Sequence, residues 1–325
     1  MKALLASILL SAFPLSAGAG EGAVRNGFPL GDASIPANEI LAGGPPRDGI
    51  PALDAPPTVP VDEAPWPDDA VVLDVEIGGE ARAYPVAILN WHELVNDTLG
   101  GRPIVVSYCP LCGTGMVFDR RVDGETLSFG VSGLLYRSDV LLYDRQTESL
   151  WSQILSRAVT GPHKGERLTL LRSRMRPLSQ FREKHPEGTV LSRETGHRRN
   201  YDRSPYGQYA SSGQIMFPVP IDRRYHPKMP TLGLRVAEAG SGSDEPPPAR
   251  AYPAQEVVRA GGEVEERFAG ATVRVSYDPD LQVFAVEAPE RIEAVEGYWF
   301  AWAAFHPETQ VFRSPLAGES GGGRP

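Results

Sequence analysis

Apolar and polar positions alternate along Val71-Val72-Leu73-Asp74-Val75-Glu76-Ile77, which puts Leu73, Val75 and Ile77 on one side of an extended chain. Gly78-Gly79 reads as a hairpin turn into Ala81-Arg82-Ala83-Tyr84. Pro85 suits the first turn of a helix. The spacing of Ile88, His92 and Val95 carries that helix to about Leu99, where Gly100-Gly101 stops it. Ile104-Val105-Val106-Ser107-Tyr108 is a strand that delivers Cys109 at its end. A hairpin around Asp123-Gly124, a strand on either side of a turn at Asp144 to Glu148, and a short helix from Pro177 to His185 follow. The expected class is α+β: strand-rich, with few helices.

Part of this pattern occurs twice. "ARAYP" begins at Ala81 and again at Ala249, and "VSY-x-P" follows each at nearly the same distance, ending at Pro110 and Pro279. Upstream, "VVLDVEIGGE" faces "LGLRVAEAGSG"; downstream, "LLYDRQTESLW" faces "AAFHPETQVF". A β-hairpin/helix/strand unit is therefore expected twice, near 70–151 and 231–313, with an insertion between.

The ends lie outside the repeat. Residues 1–19 hold one basic residue, Lys2, an apolar run from Ala3 to Leu15, and Ala17-Gly18-Ala19, the form of a secretory signal peptide cleaved after Ala19. That run is too short to span a bilayer, and no later run approaches the necessary length. The mature chain is expected to be soluble and periplasmic or secreted. Residues 20–67 are rich in proline and glycine and read as an extended surface arm anchored by Phe28, Ile40, Ile50 and Trp66. Residues 68–230 read as the first unit with its insertion, 231–313 as a second, degenerate unit, and 314–325 as a flexible tail.

A formal net charge of −9 disfavours nucleic acid and anionic membrane surfaces as partners. No motif indicates a nucleotide cofactor, and the residues identify no small-molecule or protein partner. An apolar content of 41% permits an ordinary core without disulfide scaffolding, yet the chain keeps two cysteines side by side, in Cys109-Pro110-Leu111-Cys112-Gly113.

Three chemistries suit the pair. A disulfide closing so short a loop gains little chain entropy, which leaves it as an inert feature of a structural or interaction module. A Cys-Pro-Leu-Cys-Gly turn is also a metal knuckle, although a full thiolate site needs a second pair that is absent here. Thirdly, an adjacent dithiol serves thiol–disulfide or cysteine-nucleophile enzymes. The repeat weighs between them. Asp278 stands where the first unit has Cys109, and Ala260 where it has His92. Residues needed for folding the unit should appear in both copies, and these appear in one. Cys109, Cys112 and His92 therefore form a candidate site, and the leading reading is a soft transition metal, copper before zinc. A helix packed back along the strand leaves His92 short of the sulfurs unless the knuckle curls over it.

Asn90, Trp91, Glu93, Tyr136, Ser138, Asp139, Trp151 and Gln153 are candidates to line the pocket or support its ligands. Asp144 and Thr147 read as turn residues and Trp151 as core. The run Arg167, Arg172, Arg174, Arg176 and Arg182 reads as a solvated face. Residues 197–209, "HRRNYDRSPYGQY", read as a polar, aromatic loop that suits a cover for the site.

At "ILNWHELVND", "YCPLCGTGMVFDR" and "GVSGLLYRSDVLLYDRQTESLWSQ" the chain resembles the bacterial and archaeal family catalogued as domain of unknown function 3179, over roughly residues 70–240. The resemblance implies an exported or membrane-associated protein and brings no activity with it. By position, its motif residues are Asn90, Trp91, His92, Glu93, Cys109, Cys112, Tyr136, Ser138, Asp139, Asp144, Trp151 and Gln153. Mass spectrometry of the exported protein is expected to find its N-terminus at Gly20; an intact Met1 there would count against a cleaved leader.

Overall fold

The computed structural model describes residues 23–237 and 247–315, so the leader expected at 1–19 and the tail from 316 onward lie outside the described residues. The α+β expectation is corrected to mostly β. Strands hold 42% of the described residues and helices 13%, and five large sheets form a five-bladed, propeller-like arrangement. The helices are six or seven residues long, too short to build a layer, and act as connectors. Among the described residues, no helix is long and apolar enough to cross a membrane.

The N-terminal arm supplies three edge strands, β1 (Ile40–Ala42), β2 (Leu53–Asp54) and β3 (Thr58–Pro60). Then come β4 (Val71–Ile77), β5 (Glu80–Pro85), α1 (Val86–His92), β6 (Leu94–Leu99), β7 (Arg102–Cys109) and β8 (Thr114–Asp119). After these run β9 (Phe129–Tyr136), β10 (Asp139–Asp144), β11 (Leu150–Ser152), β12 (Arg157–Ala158), β13 (Leu170–Leu171), β14 (Ser173–Pro177), α2 (Leu178–Lys184) and β15 (Thr189–Leu191). The last stretch holds β16 (Pro230–Val236), β17 (Ala249–Pro253), α3 (Ala254–Arg259), β18 (Glu263–Phe268), β19 (Ala271–Asp278), β20 (Val283–Glu287), β21 (Ile292–Tyr298), α4 (Trp299–Phe305) and β22 (Gln310–Val311). In spatial order the blades are β14-β4-β5-β15-β3, β13-β8-β7-β6-β2, β12-β11-β10-β9-β1, β21-β16-β17-β22 and β18-β19-β20.

Pairing recurs between the first two blades and the last two. The hairpins β4–β5 and β16–β17 are each followed by a helix and a three-strand meander, β6–β8 and β18–β20. A strand then returns antiparallel to the first of the hairpin, β14 on β4 and β21 on β16. A second helix leads to a strand parallel to the other, β15 on β5 and β22 on β17. The counterpart of "AAFHPETQVF" is thus the α2–β15 stretch "REKHPEGTVL", not "LLYDRQTESLW", which belongs to the third blade. That blade, β9–β12 with β1, enters between β8 and β14 and has no partner in the last two.

The shared "ARAYP" has a physical reason. Arg82 Nη1 and Tyr84 Oη both donate to Asp97 Oδ2, at 2.6 and 2.7 Å, and Arg82 Nε donates to Thr189 Oγ1 at 3.1 Å. In the second set Arg250 and Tyr252 clamp Glu266, and Arg250 Nη1 reaches Gln310 Oε1 at 3.1 Å. Each clamp ties the hairpin of one blade to the first strand of the next.

Three further expectations change. Helix α1 ends at His92 rather than near Leu99, because Glu93 takes a positive φ of 57°. Leu94–Leu99 is a strand; its Val95 and Thr98 are β-branched and its Asn96 and Asp97 weak helix formers. The Arg run is a solvated face only in part: Arg172 is exposed, whereas Arg174 Nη2 donates to Val286 O at 2.7 Å, where the first blade meets the fifth, and Arg176 lies 3.0 Å from Asp74 within the first blade. The arm is pinned as expected by Phe28, Ile40 and Trp66, all buried.

His92 is a clasp between the helix end, the arm and the 192–229 connection. Its Nδ1–H donates to Pro51 O and its Nε2 accepts from Tyr201 Oη, each at 2.8 Å. Both bonds suit the neutral ring.

Two predictions follow from these bonds. Asp97→Ala leaves Arg82 and Tyr84 buried without their acceptor and is expected to cost about 3–5 kcal/mol in urea unfolding. Glu266→Ala should cost less, since its side chain is 21% exposed against 6% for Asp97. Burial, with help from His197 and Arg199 and against the Pro51 bond, lowers the His92 pKa from 6.5 to about 4. Between those values the unfolded chain binds more protons than the folded one, so stability falls as pH drops through that window. His92→Gln is expected to remove that part of the slope in urea midpoints measured against pH; an unchanged slope would refute the assignment.

Candidate functional site

Two turns build the site. The first joins β7 to β8, whose register sets Cys109 opposite Thr114 and leaves Pro110 to Gly113 as the link. Cys112 N–H closes it on Cys109 O at 3.1 Å. Gly113 has a φ of +61°, and a Cβ there would come within 2.8 Å of the Tyr298 ring, so glycine is required. Tyr298 N–H also donates to Cys112 O at 2.8 Å, so the start of α4 holds the turn from behind.

The second turn joins β9 to β10. Arg137 and Ser138 both have positive φ, at 50° and 67°, the mirror-image turn that suits a two-residue hairpin. It points the Ser138 carbonyl at both sulfurs, which donate to it at 3.3 Å from Cys112 and 3.7 Å from Cys109. The next residue, Asp139, completes the group. One ligand atom from each of Cys109, Cys112 and Asp139 lies within 4.8 Å of the others, and all three residues are buried. Asp139 Oδ2 accepts from Ile154 N–H at 3.0 Å, while its Oδ1 is buried with no hydrogen-bond partner. Both cysteines are free thiols in this structure, with no disulfide between them.

The pocket is acidic and desolvated. Burial pushes both thiols up, and it raises Asp139 to about 7 against the Ile154 amide and the adjoining thiols. Glu93, buried one residue beyond α1, is also pushed up to about 7 by burial; Tyr206 Oη donates to its Oε1 at 3.1 Å and pulls the other way. Tyr108, Tyr206, Tyr209 and Tyr298 are all raised by burial, with the sulfurs' charge adding to each. The nearby cation is Lys228, lowered by burial to about 8, whose Nζ donates to Tyr209 O at 2.6 Å. Buried donors that would be anionic when ionised, opposed by so little positive charge, suit a cation.

The other sequence-identified residues divide. Ser138 and Asp139 join the cysteines, and Glu93 stands close enough to raise the Cys109 pKa. His92 is not in the group, since both of its ring nitrogens are engaged elsewhere. Trp91 is half-buried and donates from Nε1 to Arg203 O at 3.1 Å; Asn90 is half-buried beside it. Tyr136 packs edge-on against Phe305. Trp151 donates to Asp144 Oδ2 at 2.9 Å, a carboxylate that also takes Thr147, so both hold a corner of the third blade. Gln153 braces the first turn through Thr114 O at 3.2 Å and Ser107 Oγ at 2.9 Å. Tyr206, Tyr209, Tyr298 and Lys228 were not singled out as site residues. The first two lie in the aromatic loop that suited a cover, and nothing local marks Lys228 or Tyr298.

No curated protein and no solved structure matches the chain. The stretch carrying both turns, the acidic pocket and the residues that back it is matched, over residues 47–309, by the family described as "Protein of unknown function (DUF3179)", and the chain belongs to that family.

Proposed function

We propose that this is an exported metal-binding protein that holds one ion between Cys109, Cys112 and Asp139. The observation that carries the reading is the meeting of three ligand atoms within 4.8 Å, from two turns on different blades. The buried Asp139 Oδ1 supports it, because beyond the two adjoining thiols no donor reaches that oxygen, and a cation that displaces the thiol protons satisfies it. Redox chemistry supports it too. The leader expected at 1–19 sends the chain to an oxidising compartment, where an adjacent dithiol closes to a disulfide unless a metal holds it.

With a carboxylate in place of an imidazole, two soft sulfurs and one hard oxygen favour zinc over cuprous copper, the reverse of the order read from the residues alone. Three protein ligands leave a fourth position for water or substrate, as in catalytic zinc sites. A thiol–disulfide or cysteine-nucleophile enzyme is the second reading. It is favoured by the Asp139 carboxyl, which adjoins both thiols and is placed to take a proton from either.

Elemental analysis of protein purified from its own compartment, with a parallel thiol count, tests both. Near-stoichiometric zinc is expected. Cys109→Ser, Cys112→Ser and Asp139→Asn should each weaken binding by more than the roughly ten- to hundredfold typical of supporting residues, while His92→Gln leaves it nearly unchanged. Metal-free protein whose two thiols oxidise and reduce reversibly would favour the enzyme. Undiminished uptake in both cysteine variants would end the metal reading.

A further inference from the structure

Cys109 is 1% exposed, and Cys112 and Asp139 are 0% exposed. Nothing from solvent reaches the group without movement. The strands around it are poor candidates to move, because β7–β8 and β9–β10 are paired along their lengths. The start of α4 is tied to Cys112 O by a backbone hydrogen bond.

The connection from β15 to β16, residues 192–229, is different in kind. It contains no strand and one short 3-10 turn, Tyr209–Ser211. A long connection without regular structure inside a compact domain is the usual form of a functional loop. Tyr209 belongs to the apolar cluster that contains both cysteines, and Tyr206 and Phe217 pack against that cluster. Ser138, whose carbonyl takes both thiols, also donates from Oγ to Phe217 O of this connection, so the loop lies over the group.

Its attachments sit on the site's own neighbours. Tyr206 Oη donates to Glu93 Oε1 at 3.1 Å, and Trp91 Nε1 donates to Arg203 O at 3.1 Å. Ser138 Oγ donates to Phe217 O at 3.2 Å, and Tyr201 Oη donates to His92 Nε2 at 2.8 Å. The three consecutive residues Trp91, His92 and Glu93, at the end of α1, therefore each hold the loop by one side-chain hydrogen bond.

We propose that residues 201–217 form a hinged cover over the Cys109–Cys112–Asp139 group, latched by Trp91 and Glu93, and that a metal ion enters and leaves when this segment opens by itself. The proposal deepens the metal reading by naming the route of access, and it rests on that reading only for what passes. It also gives the Asn-Trp-His-Glu helix end a role that ligation does not: the motif closes the site.

The test uses the metal-free full-length mature protein and a thiol-specific aromatic disulfide reagent under native conditions. Removing one latch bond of ordinary strength should raise the open population, and so the labelling rate, about fivefold; Tyr206→Phe and Trp91→Phe together should give roughly twentyfold or more. Wild-type labelling should depend only weakly on urea below the unfolding transition, because a local opening exposes little surface. Hydrogen exchange offers a check without variants: amides of 201–217 should exchange well before those of β7 and β8. Labelling rates unchanged by both substitutions, or exchange of 201–217 only with global unfolding, would overturn the cover. A protein that labels as expected but takes up no zinc keeps the cover and loses the metal; one that binds zinc yet shows no latch effect keeps the metal and loses the cover.

Discussion

The clamp of an arginine and a tyrosine on one carboxylate is the contact on which the arrangement of blades depends. A sheet stacks on its neighbour mainly through apolar side chains, which set distance but are tolerant of sliding. Arg82 and Tyr84 on Asp97 remove that tolerance between the first and second blades, and Arg250 and Tyr252 on Glu266 do so between the fourth and fifth. Each is a buried or half-buried charge pair whose geometry permits one register. The strand β6 that carries Asp97 pairs with β7, and β7 ends at Cys109. Fixing the clamp therefore fixes where the first thiol sits.

That chain of constraint explains what could be read in advance. The strands of the first hairpin, the β7 strand and the thiol pair follow from local alternation and turn residues, because their partners are close in sequence. "ARAYP" was visible as a repeat, and its cause needed the partner acids. The end of α1 departs from the pattern because Ile88, His92 and Val95 keep helical spacing, whereas the backbone turns at Glu93 and Val95 points from a strand instead. The choice of His92 over Asp139 as third ligand has the same origin. His92 is nearer in sequence to a strand leading to the cysteines, but Asp139 reaches them through the pairing of β9 with β10 in a separate blade. Long-range topology of that kind leaves no periodic signal.

The site thus belongs to two layers of the fold. One turn comes from the pattern of pairing that recurs, and the other from the third blade, which does not. The last two blades have the matching turn between β19 and β20, but its Asp278 is exposed and bonds to its own loop through Asp280 and Leu281. No third blade is inserted there to bring a second turn against it. The Cys109–Cys112–Asp139 group therefore depends on the inserted sheet as well as on the frame that carries the two cysteines.

The backbone bond from Tyr298 to Cys112, with Gly297 so close to Thr114 that an added Cβ would lie 2.5 Å from its hydroxyl, bears on how the two halves have been free to change. The C-terminal blades carry none of Cys109, Cys112 and Asp139, yet they form the rear wall against which the Cys109–Cys112 turn is pressed. Drift in their own turns is permitted, since those turns touch nothing reactive. Their loss is not, because the turn that holds both cysteines is packed against them. The half that carries neither cysteine is in this way the mould for the half that carries both.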